Sequence, residues 1–299
     1  MRIVIAGGTG FLGRPLVRAL QSDGHSVLAL TRSNAIAPDV ASWQPDGSAG
    51  EWARHLDRMD GVINLAGESI GGGRWTRARK DRIRDSRVLA TRSVVAAIER
   101  VSHPPRFLLN ASGIGYYGAR GDEVLTEESG PGSDFLASVC QEWEAEALRG
   151  EAAGARVVLM RSGVVLGKGG GVLQQMALPF KLFVGGRLGS GRQYLSWIHR
   201  EDWIALVRFL VQAEEAQGAF NVTAPTPSPN AEFTDVLANA LHRPAVMPAP
   251  AFVLRAVLGE RADGLLLTSQ RAVPARALAM GFRFSYPTLT EALTAIVSK

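Results

Sequence analysis

The feature that most constrains the fold is a glycine-rich segment near the start of the chain. Glycines stand at every third position, at Gly7, Gly10 and Gly13. A short apolar run precedes them at residues 2–6, an amphipathic stretch follows, and residues 26–31 form a second run rich in leucine and valine. This order predicts a strand, a helix and a second strand within about 30 residues.

The spacing of these glycines suits the binding of a dinucleotide. Without side chains the backbone turns tightly and approaches a pyrophosphate, whose charge is stabilised by unpaired N–H groups at the start of the helix. A simple strand-to-helix turn is the alternative, but the strand on each side of the loop and helix favours a nucleotide site. The residues predicted to contact the dinucleotide here are Gly7, Thr9, Gly10, Phe11, Leu12 and Gly13.

Strands and helices continue to alternate along the chain. Apolar runs predict strands at residues 61–66, 106–111, 156–161 and 219–222, with helices at residues 75–100, 133–153 and 200–213 between them. Such alternation is typical of a parallel sheet covered on both faces. We therefore predict an α/β protein with a Rossmann-like, doubly wound parallel sheet.

The composition of the sequence changes after residue 161. Eight glycines lie between Gly167 and Gly191, which predicts a loop-rich segment beside a site, and residues 224–230 contain three prolines and resemble a linker. We expect a dinucleotide-binding domain at residues 1–165, to which residues 200–222 return. Residues 166–199 and 223–299 are expected to form a smaller, mostly helical domain on the substrate side.

The end of the second predicted strand indicates which dinucleotide is bound. A carboxylate there would accept hydrogen bonds from the ribose hydroxyls of NAD, but the strand ends in Arg32 and Ser33, and the next carboxylate is Asp39. A guanidinium can pair with a 2′-phosphate, and a serine can add a hydrogen bond. We predict NADP as the cofactor, with a solvated arginine as the alternative.

Composition excludes several classes of protein. The 33 basic and 28 acidic residues leave a net charge of +5, a weak field that a bias towards arginine explains as well as a polyanionic partner does. No apolar run approaches the roughly 20 residues of a membrane-spanning helix. The single cysteine, Cys140, forms no intramolecular disulfide, and the five histidines lack metal-ligand spacing. We expect a cytoplasmic protein without a metal, a nucleic-acid partner or a membrane span.

Further motifs resemble the extended short-chain dehydrogenase/reductase superfamily of nucleotide-sugar epimerases and dehydratases. The chain also resembles its atypical YfcH-like "epimerase family" subfamily, through motifs that cover essentially its whole length. The motifs are the glycine loop, Val62-Ile63-Asn64-Leu65-Ala66-Gly67-Glu68, Ser86-Arg87, Ala111-Ser112-Gly113, Tyr116-Tyr117-Gly118, Arg161-Ser162-Gly163-Val164-Val165-Leu166-Gly167, Ser196-Trp197-Ile198-His199 and Gly281-Phe282-Arg283-Phe284-Ser285-Tyr286-Pro287.

This resemblance implies several further cofactor contacts. Leu65 and Ala66 would line the adenosine and ribose side, and Val165 would lie near the nicotinamide. Arg87 stands where the superfamily usually has asparagine and would reach the cofactor phosphates, unless it belongs to the solvated face of an arginine-rich helix. The contact set implied by the motifs is Leu65, Ala66, Gly67, Glu68, Arg87, Ala111 and Val165.

The superfamily's usual proton relay is absent from this sequence. In the superfamily that this chain resembles, the relay consists of a Tyr-x-x-x-Lys pair and a Ser or Thr. The lysine lowers the pKa of the tyrosine. Alignment on the helix at residues 133–153 places Phe135 and Val139 in the tyrosine and lysine positions, and the serine position falls on Gly113. The four tyrosines, Tyr116, Tyr117, Tyr194 and Tyr286, are followed four residues later by Arg120, Gly121, Ile198 and Thr290.

Three functions remain possible, and two of them are favoured. One is an NADP-dependent oxidoreductase or epimerase acting on a small molecule, with Tyr117 or Ser112 and a bound water as an atypical acid or base. The other is a non-catalytic protein that binds NADPH and signals its level to a partner, which fits the cell-division label carried by some relatives. A nucleic-acid binder that uses the arginine-rich helix is the least favoured reading, and a homodimer is one expectation for the assembly.

Overall fold

The computed structural model describes residues 1–33 and 37–298. The strands are β1 (Arg2–Ala6), β2 (Ser26–Thr31), β3 (Val40–Ser42), β4 (Gly61–Asn64), β5 (Phe107–Gly113), β6 (Val124–Leu125), β7 (Arg156–Ser162), β8 (Val164–Leu166), β9 (Tyr194–Leu195), β10 (Trp197–His199), β11 (Gly218–Val222), β12 (Ser228–Pro229) and β13 (Arg271–Ala272). The helices are α1 (Gly13–Ser22), α2 (Arg77–Arg100), α3 (Phe135–Leu148), α4 (Val172–Lys181), α5 (Arg200–Gln212), α6 (Asn230–Leu241), α7 (Ala251–Leu258), α8 (Ala275–Ala279) and α9 (Leu289–Ser298).

Seven of these strands form one parallel sheet in the order β11-β7-β5-β4-β1-β2-β3. The strands β2 and β3 extend the sheet on one side of β1, and β5, β7 and β11 extend it on the other side of β4. The chain therefore reverses its winding between β1 and β4. Ligands of open α/β sheets bind beyond the carboxyl ends of the strands at such a point. The doubly wound Rossmann-like fold predicted from the sequence is confirmed.

Apolar side chains pack on both faces of this sheet. One core cluster joins the sheet to α1 and α5, and a second joins it to α2. A third cluster lies away from the sheet, where α4, α6 and α9 pack together around Phe233 and Leu293. The strands of the sheet are thus buried on both sides, which explains why they read as nearly continuous apolar runs.

Most differences from the predicted elements concern boundaries. The glycine loop delays the start of α1 to Gly13, and α3 ends at Leu148, where one 3₁₀ turn follows it. Two predictions were incomplete. The short edge strand β3 was missed, and residues 224–230 are not simply a linker, because β12 pairs antiparallel with β9 and Asn230 begins α6. No helix in the described ranges is long and apolar enough to cross a bilayer.

Candidate functional site

The glycine loop connects β1 to α1 at the reversal point of the sheet. Gly7 has φ +79°, and a Cβ there would lie 2.9 Å from the backbone carbonyl of Leu65. A Cβ on Gly13 would lie 2.2 Å from the Gly7 oxygen, whereas a Cβ on Gly10 would meet only that oxygen, at 3.3 Å. Gly7 and Gly13 are therefore required by close backbone packing, and Gly10 borders open space.

The same loop presents unpaired backbone donors. The Gly10 N–H donates to the Gly7 oxygen at 3.1 Å, but within the described residues the N–H groups of Phe11 and Leu12 have no acceptor. No side chain caps the start of α1. Free N–H groups and the positive end of a helix dipole together attract an anion. The loop thus fits the pyrophosphate of a dinucleotide.

The segment after β4 forms the neighbouring wall of this site. The Leu65 N–H donates to the Ala6 oxygen at 2.9 Å, which continues the pairing of β4 with β1 beyond the last strand residue. The Ala66 N–H donates to the side-chain oxygen of Asn64 at 3.1 Å. Leu65 and Ala66 are half-buried at the carboxyl edge of the sheet, where the family resemblance places the adenosine side of the cofactor.

A buried amide pair holds the carboxyl edge of the sheet in place. Asn64 and Asn110 occupy matching positions on β4 and β5, and the Asn64 Nδ2 donates to the Asn110 Oδ1 at 2.7 Å and to the Thr91 Oγ1 at 2.9 Å. The Trp143 indole donates to the same threonine hydroxyl at 2.8 Å. Sequence reasoning missed these positioning residues, although asparagines at two buried strand ends are an unusual signal.

Arg87 reaches from α2 to the segment after β4. Its guanidinium donates to the backbone oxygens of Ile83 and Glu68, both at 2.9 Å, and lies against Gly67. No carboxylate pairs with Arg87 in the described part of the chain. Burial lowers the pKa of Arg87 to about 10. A bound phosphate would supply the counter-charge that no described carboxylate gives this guanidinium.

The carboxylate of Glu68 is turned towards α2. It forms an ion pair with Arg79, and Arg82 lies 3.7 Å away. The backbone N–H of Glu68 donates to the Ser86 hydroxyl at 3.0 Å, so in this arrangement it is not available to donate to a ligand. Glu68 was predicted as a cofactor contact, and the structure gives its side chain the role of anchoring the arginines of α2.

Arg32 and Ser33 follow β2 and are exposed. The Ser33 carbonyl accepts a hydrogen bond from the Ser42 hydroxyl at 3.0 Å, which joins the end of β2 to the end of β3. The Arg32 side chain makes no ion pair or hydrogen bond with the described residues. Both residues lie at the carboxyl edge of the sheet, as does the glycine loop, because β2 lies beside β1 and runs parallel to it.

Ser112 lies near the end of β5 and is buried. Its hydroxyl donates to the Glu144 Oε1 at 2.6 Å, and Arg161 from β7 binds both oxygens of the same carboxylate, at 2.9 and 2.8 Å. Burial alone would lower the pKa of Arg161, but the hydrogen bonds and charge of Glu144 outweigh it and raise that pKa. The predicted serine therefore belongs to a buried ion-pair network. The neighbouring Ala111 is half-buried.

Tyr117 lies in the protein interior with no exposed surface. Its hydroxyl donates to the Asn221 Oδ1 at 2.7 Å and accepts from the Arg161 Nη1 at 3.1 Å. Burial raises the pKa of Tyr117 despite the nearby guanidinium. A phenol that is enclosed and hydrogen-bonded on both sides is not placed to reach a substrate in this arrangement, which argues against Tyr117 as the predicted acid or base.

Apolar groups fill the position in which the superfamily has its tyrosine. Phe135 begins α3 and contacts Trp75 edge to face, with ring centroids 5.3 Å apart. The Lys80 ammonium lies 5.0 Å above the Phe135 ring and forms an ion pair with Glu260. Val139, at the lysine position, is buried. Among the described residues, apolar packing therefore occupies the two positions that the sequence alignment matches to the tyrosine and lysine.

Val165, predicted to lie near the nicotinamide, is buried, and so is the single cysteine, Cys140. Val165 is in β8, where it pairs with Ile198 of β10. Cys140 lies within 3.6 Å of the Gly113 oxygen, and burial raises the pKa of its thiol to about 11, so the thiol is not a ready nucleophile. Across the described ranges, no three His, Cys, Asp or Glu side chains are grouped to hold a metal ion.

The doubly wound sheet and its glycine loop define an α/β nucleotide-binding protein. Comparison with known proteins makes the assignment specific. The NAD dependent epimerase/dehydratase family matches residues 3–223, and the chain belongs to that family. A domain of unknown function, DUF1731, matches residues 249–296 and covers α7 to α9.

Relatives share the whole length of the chain. The epimerase family protein YfhF of Bacillus subtilis is 40% identical over 303 residues, which cover 100% of this chain and 98% of the relative. The epimerase family protein SDR39U1 of Mus musculus is also 40% identical over 303 residues and is covered completely. The family resemblance predicted from the motifs is thereby confirmed.

Solved structures agree with this assignment. The human epimerase family protein SDR39U1, crystallised with NADPH, has a TM-score of 0.89 and 34% identity, with complete coverage of both chains. The UDP-N-acetylglucosamine 4-epimerase of Bacillus cereus has a TM-score of 0.76 at 19% identity and covers 100% of this chain and 98% of its own. At that identity the second likeness shows the fold alone.

Proposed function

We propose that the protein binds NADP(H) on the loop of residues 7–13 and uses it as an oxidoreductase or epimerase on a small-molecule substrate. The observation that carries the proposal is the pair of unpaired N–H groups of Phe11 and Leu12 beside the open side of Gly10. The human relative that was solved with NADPH supports the choice of cofactor.

The residues that would hold the cofactor lie along the carboxyl edge of the sheet. Leu65, Ala66 and Gly67 would face the adenosine and ribose, and Arg87 would move its guanidinium onto a phosphate. Arg32 and Ser33 would bind the 2′-phosphate. Ala111 and Val165 would line the nicotinamide side. When bound, the nicotinamide supplies a hydride donor or acceptor.

Ser112 is the remaining candidate for a group that touches the substrate. Its proton is committed to Glu144, so Ser112 would act only as an acceptor, for a hydrogen bond from a substrate hydroxyl or a water. Such a contact would orient the substrate, and water would carry the proton in place of the absent tyrosine. The ion pair between Glu144 and Arg161 would fix the Ser112 rotamer.

A non-catalytic NADPH-binding regulator is the second candidate function. The observation that favours it is the apolar packing of Phe135 against Trp75, which leaves no titratable group at the superfamily's tyrosine position. Such a protein would bind NADPH as tightly as an enzyme but turn over no substrate. The two candidates share the cofactor site and differ only in chemistry.

One set of measurements tests both candidates. Titration of the purified protein by NADPH fluorescence is expected to show tight binding, with NADH weaker, and Arg32→Ala is expected to remove the preference. Arg54→Ala is the control, because Arg54 is exposed on a 3₁₀ helix away from the loop. Loss of absorbance at 340 nm is then followed with carbonyl and sugar-nucleotide substrates.

The outcomes separate the candidates. Equal affinity for NADH and NADPH, unchanged in Arg32→Ala, would contradict the proposed cofactor preference. Tight NADPH binding without turnover over a broad substrate panel would favour the regulator. Turnover that falls in Ser112→Ala while NADPH affinity is unchanged would support the enzyme and the role of Ser112.

The proposal also includes domain organisation, assembly and location. We place the cofactor domain at residues 1–165 with 200–222, and the substrate side at residues 166–199 and 223–299. We place the whole protein in the cytoplasm.

Exposed apolar side chains on and beside α4 and α7, such as Phe183 and Phe252, support a homodimer. Light scattering during size-exclusion chromatography tests the dimer, and a monomer at micromolar concentration would contradict it.

A further inference from the structure

Residues 251–267 lie across the segment of the chain that precedes α2. We call these residues the strap. They comprise α7 and a π-helical turn at Ala262–Leu266, and they fall within the matched domain of unknown function. Between these two elements, the Arg261 Nη1 donates to the backbone oxygens of Gly71 and Gly73, both at 2.7 Å. One side chain of the strap thus holds two carbonyl groups of the facing segment.

Two more contacts join the same parts of the chain. The Arg74 guanidinium donates to the Ala256 backbone oxygen at 3.0 Å, and Lys80 forms an ion pair with Glu260. We call these two contacts and the two hydrogen bonds of Arg261 the latch. Every latch contact includes a charged side chain, and each joins residues that are 180 or more positions apart.

The strap covers Trp75 and, through it, Phe135. A Cβ on Gly264 would lie 2.7 Å from the Trp75 ring, so the backbone of the strap rests on the indole, which is only 9% exposed. The Trp75 Nε1 donates to the Ile70 backbone oxygen at 3.0 Å, and the ring contacts Phe135 edge to face. Because the sequence alignment matches Phe135 to the superfamily's tyrosine, the strap closes over the position where that tyrosine would meet a substrate.

Apolar packing contributes little to this closed position of the strap. None of the residues described in α7 is buried, and Phe252 and Val257 on this helix are 72% and 64% exposed. In the π-helical turn only Ala262 is buried. The side chains of Lys80 and Glu260 remain 27% and 51% exposed in their ion pair. Exposed ion pairs stabilise weakly, and a segment with few buried apolar contacts opens at a low cost in free energy.

Both ends of the strap are bound to the segment of residues 185–193. Just before α7, the Ala249 N–H donates to the Arg187 backbone oxygen at 2.9 Å. At the other end, the Gln193 side-chain amide donates to the Leu266 backbone oxygen at 3.0 Å. These bonds do not involve the latch, so the strap keeps its attachment at both ends when the latch breaks.

We propose that the strap is a lid that opens at the latch and admits a substrate to the position beside Phe135. Release of the latch lifts the strap from the Trp75 ring and uncovers both aromatic side chains. Lids of this kind gate access in many enzymes. A latch of charged groups also makes opening sensitive to salt, which screens exposed ion pairs. The inference rests on the proposed function for the role of this position, whereas opening is a property of the chain itself.

Oxidation of tryptophan by N-bromosuccinimide, located by peptide mass spectrometry, measures opening in the full chain without cofactor. Arg261→Met removes two latch bonds and is expected to raise the oxidation rate of Trp75 by about fivefold. Glu260→Gln weakens the ion pair with Lys80 and is expected to act in the same direction. Added salt is expected to raise the Trp75 rate in the wild type.

The protein offers an internal control and a matched variant. Trp143 is 6% exposed on α3, where its indole donates to Thr91, so its oxidation rate reports on the whole fold and is expected to stay constant. Arg255→Met is the matched variant, because Arg255 is an exposed arginine of the strap whose partner, Asp263, lies in the strap as well. It is expected to leave the Trp75 rate unchanged.

A selective rise of the Trp75 rate in Arg261→Met and Glu260→Gln supports the lid. Equal Trp75 rates in the wild type and both variants would overturn it. Faster oxidation of Trp75 and Trp143 together in both variants would also overturn it, because the latch would then support the whole fold. Weak NADPH binding or absent turnover would contradict the proposed function without changing these rates, so the two failures are distinguishable.

Discussion

Glu144 and Arg161 form a buried ion pair at the carboxyl edge of the sheet. The closest nitrogen and oxygen are 2.8 Å apart, and each side chain is only 6% exposed. Ser112 and Tyr117 both bind to this pair, one through the carboxylate and the other through the guanidinium. The ends of β5 and β7 are thus joined to α3 by a buried polar network.

Breaking this pair is expected to destabilise the protein strongly. Glu144→Gln leaves the Arg161 charge buried without its counter-charge and should lower the free energy of unfolding by about 3–5 kcal/mol. Urea denaturation monitored by circular dichroism measures the change. Glu142→Gln on the same helix, whose side chain is half exposed, is the control and should change it by less than about 0.5 kcal/mol. Equal effects of the two substitutions would refute the assigned role.

Tyr117→Phe is expected to affect stability rather than function. The change removes the hydroxyl that joins Asn221 to Arg161, so the free energy of unfolding should fall by about 1–3 kcal/mol. NADPH affinity and any turnover should remain within about twofold of wild type, because the phenol is enclosed. Denaturation and kinetic assays measure both. A large loss of kcat at unchanged stability would restore Tyr117 as a catalytic candidate.

The glycine loop predicts a strong contrast between two glycine substitutions. In Gly13→Ala the new Cβ meets the Gly7 oxygen at 2.2 Å, so the loop must shift and its N–H groups turn away. NADPH affinity should fall by more than about tenfold. Gly130→Ala is the control, because that position is exposed, has nothing within 4 Å and does not have a positive φ. Comparable NADPH affinity in both variants would exclude the loop as the cofactor site.

Arg87→Met should separate cofactor binding from folding. Since burial lowers the pKa of Arg87 to about 10 and no carboxylate compensates its charge, its removal should cost the free protein less than about 1 kcal/mol. NADPH affinity should fall by about tenfold, because a charged phosphate contact is lost. Thermal melts with and without NADPH measure both effects. Arg84→Met, half exposed on the same helix, serves as the control. A large stability loss with unchanged affinity would make Arg87 structural.

Glu146 predicts part of the acid sensitivity of the protein. A hydrogen bond from Arg92 is the main cause that lowers the pKa of Glu146 below its ordinary value of 4.5. Its stabilisation is therefore complete above pH 4.5 and is lost as the pH falls through the folded-state pKa. Glu146→Gln should lose less stability than wild type between pH 5 and pH 3, by up to about 1 kcal/mol. The free energy of unfolding is measured by urea denaturation at each pH. The same decrease between pH 5 and pH 3 in both proteins would contradict this prediction.

Local patterns were sufficient to predict the α/β fold and the loop at its reversal point. Apolar runs that alternate with helices are typical of a parallel sheet, and Gly7 and Gly13 stand where a Cβ would collide with neighbouring backbone. Arg32 could be placed at the end of β2 for the same reason, because a strand end is a local feature.

The chemistry of the site could not be predicted in the same way. Spacing in the sequence does not reveal that Ser112 shares a carboxylate with Arg161, because Glu144 lies 32 residues from the serine and on a different element. Nor does it reveal that Asn64 faces Asn110, which depends on the register of two strands 46 residues apart.

The sequence by itself determined the layered α/β architecture, the glycine loop and the absence of a Tyr-x-x-x-Lys pair. Tertiary structure alone decided that Tyr117 is enclosed and that the half-buried Arg87 has no carboxylate partner among the described residues. The physical reason is that backbone turns and periodic burial are encoded by neighbouring residues. Charge pairing and enclosure, in contrast, depend on side chains that only packing of the whole chain brings together.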